Sequence, residues 1–396
     1  MRQIILILIA ALAIVSCGNK SAPSEGMSAD SLFRQQDSIL AKASEFSDTV
    51  YIRYAKGLRV DYKKDGIHVT ISNPDPASHT KPIELVITEP KSRFVCMTAL
   101  QLGNFEALGL EERVVGMTSI RHLFNPRIKQ QEKEGKTVRI GKEGNFDIEA
   151  VIASRPDYIF ISTSKHGGYE ALKDCGIPLI PHHGYRETNP LGQAEWIKLI
   201  GLLTGEPRRA NAVFADIETK YNTLKAEVQT SLRDEAQHSA DAGTTSRTNS
   251  ASGTHLPTII SGRQIRDGWY VMGGNSYMAQ LFKDAGVDYI MKEHEEAGGL
   301  TLDFESVYAK AVNADYWQID GSFDGEFTLR ELEAEDARYA DLKAFKNKHV
   351  IFCNVASTPY RELSPVEPHI LLADFVKAFH PDILPHYTPK YYKLMR

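Results

Sequence analysis

Four loops of this chain carry clusters of cations and rings. Arg121 and His122 follow "RVVGMT". Lys165, His166 and Tyr169 follow "YIFIS". Arg263, Arg266, Trp269 and Tyr270 follow "TIISG", and Tyr360 and Arg361 follow "VIFCNVA". Guanidinium and ammonium groups pair with carboxylate or catecholate oxygens. Tyr and Trp rings stack on flat conjugated systems. An imidazole, here His122 or His166, can ligate a metal centre axially. Taken singly, each of these side chains reads equally well as a solvated loop residue; as a set they describe a surface for a small ring-bearing or anionic molecule.

Other candidates are weaker. His182 and His183 are adjacent on a strand, so they point to opposite faces and make a poor joint metal site. His294 sits in a run with Glu293, Glu295 and Glu296 and reads as solvated charge. Gly273-Gly274 and Gly298-Gly299 are turn-like. Cys96 and Cys353 lie in apolar runs and read as small buried hydrophobes, and no Cys/His ligand spacing or selected disulfide pair emerges with Cys175. A phosphate loop, GxSxG, HExxH or Cys/His nucleophile arrangement is not present, so the sequence reads as a binding protein with no cofactor rather than an enzyme. The net charge of −5 and the lack of a basic face argue against nucleic acid.

The elements that must position these loops alternate. From Arg93 onward, strand and helix patterns follow one another, which predicts parallel sheets covered on both faces. The expected fold is α/β: two Rossmann-like lobes joined by one long helix, with a small β-rich extension in front. Residues 1–17 form an apolar leader and 18–47 a polar tether. Residues 48–90 form the extension, with a hairpin at Asp65-Gly66. The first lobe spans 91–204 and the interlobe helix 205–231, starting near Pro207 with Val213, Ile217, Tyr221, Leu224 and Val228 inward. A Ser/Thr/Gly-rich disordered insert covers 232–257 and the second lobe 258–396.

One small device occurs twice. "FDIEAVIASRPDYIFIS" from Phe146 and "LDFESVYAKAVNADYWQID" from Leu302 each read as a short helix leading into a buried strand. Asp147 and Asp303 are N-caps. Apolar residues at the first, fourth and fifth helical positions predict one buried stripe. Glu149 and Glu305 fall just off it, exposed and ionised near the positive end of the helix dipole. Acidic residues favour that place by about 0.3–1 kcal/mol. The shared register adds a second meaning: two acidic posts fit for docking on two symmetry-related basic pockets.

At the amino end, Arg2 and "IILILIAALAIV" are followed by Val15-Ser16-Cys17-Gly18, which resembles a bacterial lipobox. The resemblance implies lipidation of Cys17, with acyl chains contributing ~0.8 kcal/mol per buried CH₂ to anchoring. The stretch from "RFVCMTALQLGNFEALGLEERVVGMT" through "NFDIEAVIASRPDYIFIS", the long helix, "FESVYAKAVNADYWQI" and "AFKNKHVIFCN" resembles the bilobed substrate-binding proteins of cobalamin/iron-siderophore-type ABC importers. It covers about Arg93 to Pro381 without the insert. "FHPDILPHY" and the extension look like versions from Bacteroidota. The family implies a monomer held in the periplasm by its lipid, with ligand in the interlobe cleft. It implies a partner permease dimer with its ATPase, whose arginines meet Glu149 and Glu305, and only small closure about a rigid helix. Siderophore, haem and cobalamin remain open as ligands; the cation-rich loops favour an anionic iron chelate. A vitamin B12 binder and a surface-exposed chelate-binding lipoprotein are the alternatives.

Overall fold

Two five-stranded sheets form the frame. The computed structural model describes residues 29–33, 36–75, 78–142, 144–162, 169–241, 256–266 and 268–396. The first sheet runs in the order Leu179–Pro181, Tyr158–Ile161, Phe94–Cys96, Val114–Met117 and Val138–Arg139, each neighbouring pair parallel. Its middle strands are buried along their whole length, as expected of a parallel sheet covered by helices on both faces. The second sheet runs Asp288–Tyr289, Thr258–Ser261, Tyr316–Gly321 and Val350–Asn354 in parallel, with Lys393–Leu394 antiparallel at its edge. The chain is thus an α/β protein of two lobes.

The repeated device is present in both lobes. Asp147 accepts from Ala150 N at 2.9 Å and Asp303 from Ser306 N at 2.9 Å, so both helices, Ile148–Ala153 and Phe304–Ala311, are capped alike. The likeness continues past the helix. Asp157 accepts from the backbone N–H groups of Ser92 and Arg93, and Asp315 from that of Thr258, each pinning the start of the neighbouring strand. The stripe is narrower than the pattern suggests. Val151, Phe304 and Val307 are buried, but Ile152 is 52% exposed. The first helix has only six residues, enough to bury one row and not two.

The helix between the lobes spans Pro207–Asp241, 35 residues, or about 50 Å at 1.5 Å per residue. Val213, Ile217, Tyr221, Leu224 and Val228 all lie in the core. It therefore runs past residue 231 and takes in the first ten residues of the expected insert, 232–241. "LRDEAQHSAD" is rich in good helix formers and holds no Gly or Pro, and Leu232 still packs on the core. Of the rest of that insert, 242–255 lie outside the described residues, as does Cys17, while 256–257 lead into the strand Thr258–Ser261.

The expected tether also ends early. From Ala29 the chain folds back onto the lobes: Leu32 is buried, Gln36 Nε2 donates to Glu106 O at 2.7 Å, and Phe33 stacks on Tyr387 at 5.9 Å. Only the stretch before it has the Gly/Ser/Pro composition of a tether; "SLFRQQDSIL" already carries apolar residues that can be buried. The extension is a three-stranded antiparallel sheet, Leu58–Lys63, Gly66–Ile71 and Ile83–Ile87. Its first turn is Lys64-Asp65, one residue earlier than expected, because Gly66 pairs with Lys63 at φ 141°, a conformation open to glycine alone.

The lobes touch along a polar seam. Glu362 of the second lobe accepts from the backbone N–H groups of Phe124 and Asn125 in the first, the latter at 3.0 Å. The helix Ala99–Leu108 lies against this segment so closely that a Cβ on Gly103 would fall 1.8 Å from Glu362 O. Burial, with the nearby carboxylates of Glu362, Glu111 and Glu367, pushes the Glu106 carboxyl up to about 7.

Candidate functional site

Ligands of open α/β sheets lie beyond the carboxyl ends of the strands. In the first lobe those ends deliver Thr98 and Gln101, which form a capping box on the helix after Phe94–Cys96, then Ser162, and then His182, Tyr185 and Arg186. In the second lobe they deliver Asp320, Tyr360 and Arg361. Thr98, Gln101, Ser162, His182 and Tyr185 meet Pro365 of the second lobe around a cavity of about 10 Å³ at the cleft floor, room for roughly one water. A larger open depression of about 800 Å³ lies at the amino ends of the first sheet, against Arg93, Arg127 and Lys136. That is the wrong end of the strands for a ligand site.

His182 is fully enclosed. Its Nε2 has no hydrogen-bond partner among the described atoms, and its ring centre lies 4.7 Å from that of Trp196. Burial, then the neighbouring His183, drives its imidazole down to about 3, and burial takes His183 down to about 4. Both rings are therefore neutral at ordinary pH. Among the described residues no group of three or more His, Cys, Asp or Glu side chains is placed to hold a metal ion. Cys96, Cys175 and Cys353 are free thiols.

On the facing wall, the carboxylate of Asp320 touches solvent through the cleft but is crowded by protein on its other sides. That crowding raises its carboxyl, against the pull of a Gln318 hydrogen bond and of Arg263 and Arg361. Tyr360 stands behind it, its hydroxyl 3.2 Å from that of Tyr392 and 3.4 Å from that of Tyr277, and burial pushes its phenol well up. Tyr270 is half-exposed, and the charges of Asp320 and Arg186 both reach its hydroxyl. Arg263, Tyr270, Tyr360 and Arg361, four of the loop candidates, thus lie around Asp320, which is not among those candidates.

Other candidates go elsewhere. Trp269 is a core residue, 0% exposed; its indole donates to Ser261 O at 3.1 Å and packs on Phe304, Trp317 and Tyr339. Alternation along Gly268–Met272 turns Trp269 and Val271 inward and Tyr270 outward. Substituting Trp269 by Phe should leave any ligand-induced fluorescence change largely intact, because Trp196 borders the cleft floor and Trp269 does not. Loss of that change in the Trp269→Phe titration would restore Trp269 to the site. Arg266, with φ 56°, is at the tip of the hairpin, beside Gly268. Gly268 pairs with Asp303 while Met272 pairs with Gly299, so the tip lies at the Glu305 end, roughly 14 Å along the strand from the cleft end. Tyr169 spends its hydroxyl on Ser162 O at 2.6 Å and its ring on Phe146 at 5.8 Å. Arg121 and His122 are exposed on the turn after Val114–Met117. Lys165 and His166 lie outside the described residues.

Arg186 escaped the loop reading. It follows Leu179–Pro181, a fifth strand end to which the same rule applies. Its Nη1 lies 3.3 Å from Asp75 of the extension and its guanidinium 5.3 Å from the Tyr185 ring centre. Arg263 is likewise mated, to Glu335. Two of the described cations of the mouth, Arg186 and Arg263, are thus each paired with a carboxylate from another element.

Glu149 and Glu305 are both exposed on their helices' first turns. Their settings differ: Glu305 accepts from Arg338 Nη1 at 3.0 Å, whereas Glu149 has no ion pair among the described residues.

The profile of the periplasmic binding protein family matches residues 95–355, well over half of the chain. The chain belongs to that family. Solved periplasmic binding proteins superpose on it at low identity. A periplasmic heme binding protein from Pseudomonas aeruginosa aligns with TM-score 0.53 and 19% identity over 76% of this chain and 95% of its own. An ABC-type Fe3+-hydroxamate transport protein from Saccharomonospora viridis gives 0.55 and 14% over 75% and 96%. An uncharacterized lipoprotein of Methanocaldococcus jannaschii is 25% identical over 75% of this chain and 67% of its own length. The family match begins after the extension, which is additional to it. Among the described residues no helix is long and apolar enough to cross a membrane.

Proposed function

We propose that this periplasmic binding protein is the substrate-binding component of an ABC importer. It captures an iron chelate, a siderophore or haem, between its lobes and delivers it to a permease dimer with its ATPase. Lipidation at Cys17 would hold it, as a monomer, at the periplasmic face of a membrane. The observation that carries this reading is the pair of matched helix starts, which present Glu149 and Glu305 to solvent on two lobes whose strand ends converge on one cleft. Charged contacts of this kind set register and on-rate. The heme-binding and Fe3+-hydroxamate proteins that share the fold support an iron chelate over an unrelated solute.

Calorimetric titration of the whole chain with haem, a ferric hydroxamate, a ferric catecholate and cobalamin tests the reading. Saturable binding of an iron chelate is expected. Binding of cobalamin alone would reassign the cargo, and binding of none would remove the reading. Calorimetry is preferred to tryptophan quenching because Trp196, Trp269 and Trp317 are all fully buried.

A further inference from the structure

We infer that Asp75 of the extension is a positioning residue for Arg186, and that the pair makes the cleft select chelates by charge. The inference rests on the chelate-binding reading above. It concerns a part of the chain that the family match leaves out, since Asp75 precedes residue 95.

Arg186 reaches from the first lobe toward the second. Its Nη1 would lie 3.4 Å from a Cβ on Gly298, within van der Waals contact of the second lobe. Beside it, a Cβ on Gly299 would fall 1.8 Å from the Tyr270 hydroxyl. Gly299 thus makes room for the Tyr270 hydroxyl, and Arg186 lies against the neighbouring Gly298. The same guanidinium acts on His183 and Tyr270 electrostatically.

Asp75 fixes this arginine without saturating it. The contact is single and long, 3.3 Å, with the two side chains 21% and 31% exposed. Arg186 Nε is buried, so the donors a ligand can reach are those on the Nη nitrogens of a side chain 31% exposed. A guanidinium has five N–H donors in a planar fork suited to carboxylate-like oxygens. A ligand oxygen can therefore bond to it while Asp75 stays in place. The carboxylate is itself set by its loop, where Asp75 N donates to Asn73 Oδ1 at 3.0 Å and Ser78 N donates to Asp75 O at 2.9 Å. An ordinary surface ion pair would matter little. This one stands at the cleft mouth, where it cancels a positive charge that a multiply anionic ligand would seek and a neutral one would not. The geometry thus favours a neutral or weakly charged chelate that offers one oxygen to Arg186.

The test measures the affinities of the full chain for two probes, ferric citrate and an uncharged ferric trihydroxamate. Asp75→Asn should raise affinity for ferric citrate by roughly fivefold or more, and Arg186→Gln should lower it by a similar factor. Both should leave the trihydroxamate within about twofold, allowing for the one bond that Arg186 lends it. Asp75→Glu should restore the wild-type values, and Asp75→Asn/Arg186→Gln should behave as Arg186→Gln alone. If the wild type binds either probe and Asp75→Asn moves neither, the inference is overturned and the chelate-binding reading stands. If it binds neither probe nor any chelate of the calorimetric panel, both fall.

Discussion

Replacing Glu149 and Glu305 together by alanine should cut uptake of the bound chelate by roughly tenfold or more while leaving its affinity within about twofold. The reasoning is geometric. Both carboxylates sit on the first turn of a capped helix, where their side chains reach into water. Neither lies at the strand ends that form the cleft, so ligand contacts should survive. The single substitutions should not be equal. Arg338 is stacked over the Phe304 ring at 3.6 Å, also bonds Asp336, and already lends Glu305 a positive partner. An external arginine gains less from a carboxylate that is already paired, so Glu149→Ala should do more harm than Glu305→Ala. Whole-cell uptake measured beside calorimetric affinity separates the two quantities. Normal uptake by the double variant would end the docking proposal, whatever the affinity shows.

Glu195→Ala should lower the melting temperature by about 10 °C, the consequence of losing roughly 3–5 kcal/mol. Glu195 is 0% exposed and gathers the backbone N–H groups of Arg53, Tyr54 and Ala55, with Tyr54 N at 2.7 Å. It also accepts from Lys198 Nζ at 2.7 Å, and that ammonium is itself buried, 4.3 Å from the Phe214 ring centre. Truncating the glutamate leaves three backbone donors unpaired and a buried ammonium whose remaining hydrogen-bond acceptor is Tyr51 O at 2.7 Å, the costly way to break a buried pair. Glu187 repeats the arrangement one step along, accepting from Lys56 N, Gly57 N and the Trp196 indole. Between them the two carboxylates bolt the extension to the first lobe. Glu195→Gln, which keeps an acceptor, should cost less. Thermal unfolding by circular dichroism measures both; a fall of less than about 2 °C for the alanine variant would mean that the extension is held chiefly by other contacts.

What could be read from sequence was whatever the chain states locally. The alternation of strands and helices and the caps at Asp147 and Asp303 each depend on neighbours within a few residues, and each is found in the structure. Trp269 was misread because a loop label hid a strand, and a strand's alternation decides which of Trp269 and Tyr270 faces the cleft. The helix beyond residue 231 was misread because polar composition was taken for disorder, although helix propensity there is high. Asp75 and its pairing with Arg186 lay beyond local reading for a different reason. Their meaning lies in partners far along the chain, 111 residues apart for Asp75 and Arg186, and 238 for the Glu362 seam. Charge counted by loop overstates the field in a cleft when the neutralising carboxylates come from other elements, as Glu335 does for Arg263.

The Glu362 seam bears on traffic as well as on shape. With its carboxylate bonded to two amides of the opposite lobe, the seam sets one spacing between the lobes. Loaded and empty copies then present Glu149 and Glu305 at nearly the same separation while those bonds hold. A membrane partner that gauges only that separation would accept empty carriers as readily as full ones. Under the proposed docking, sorting would then follow contact, when the seam opens.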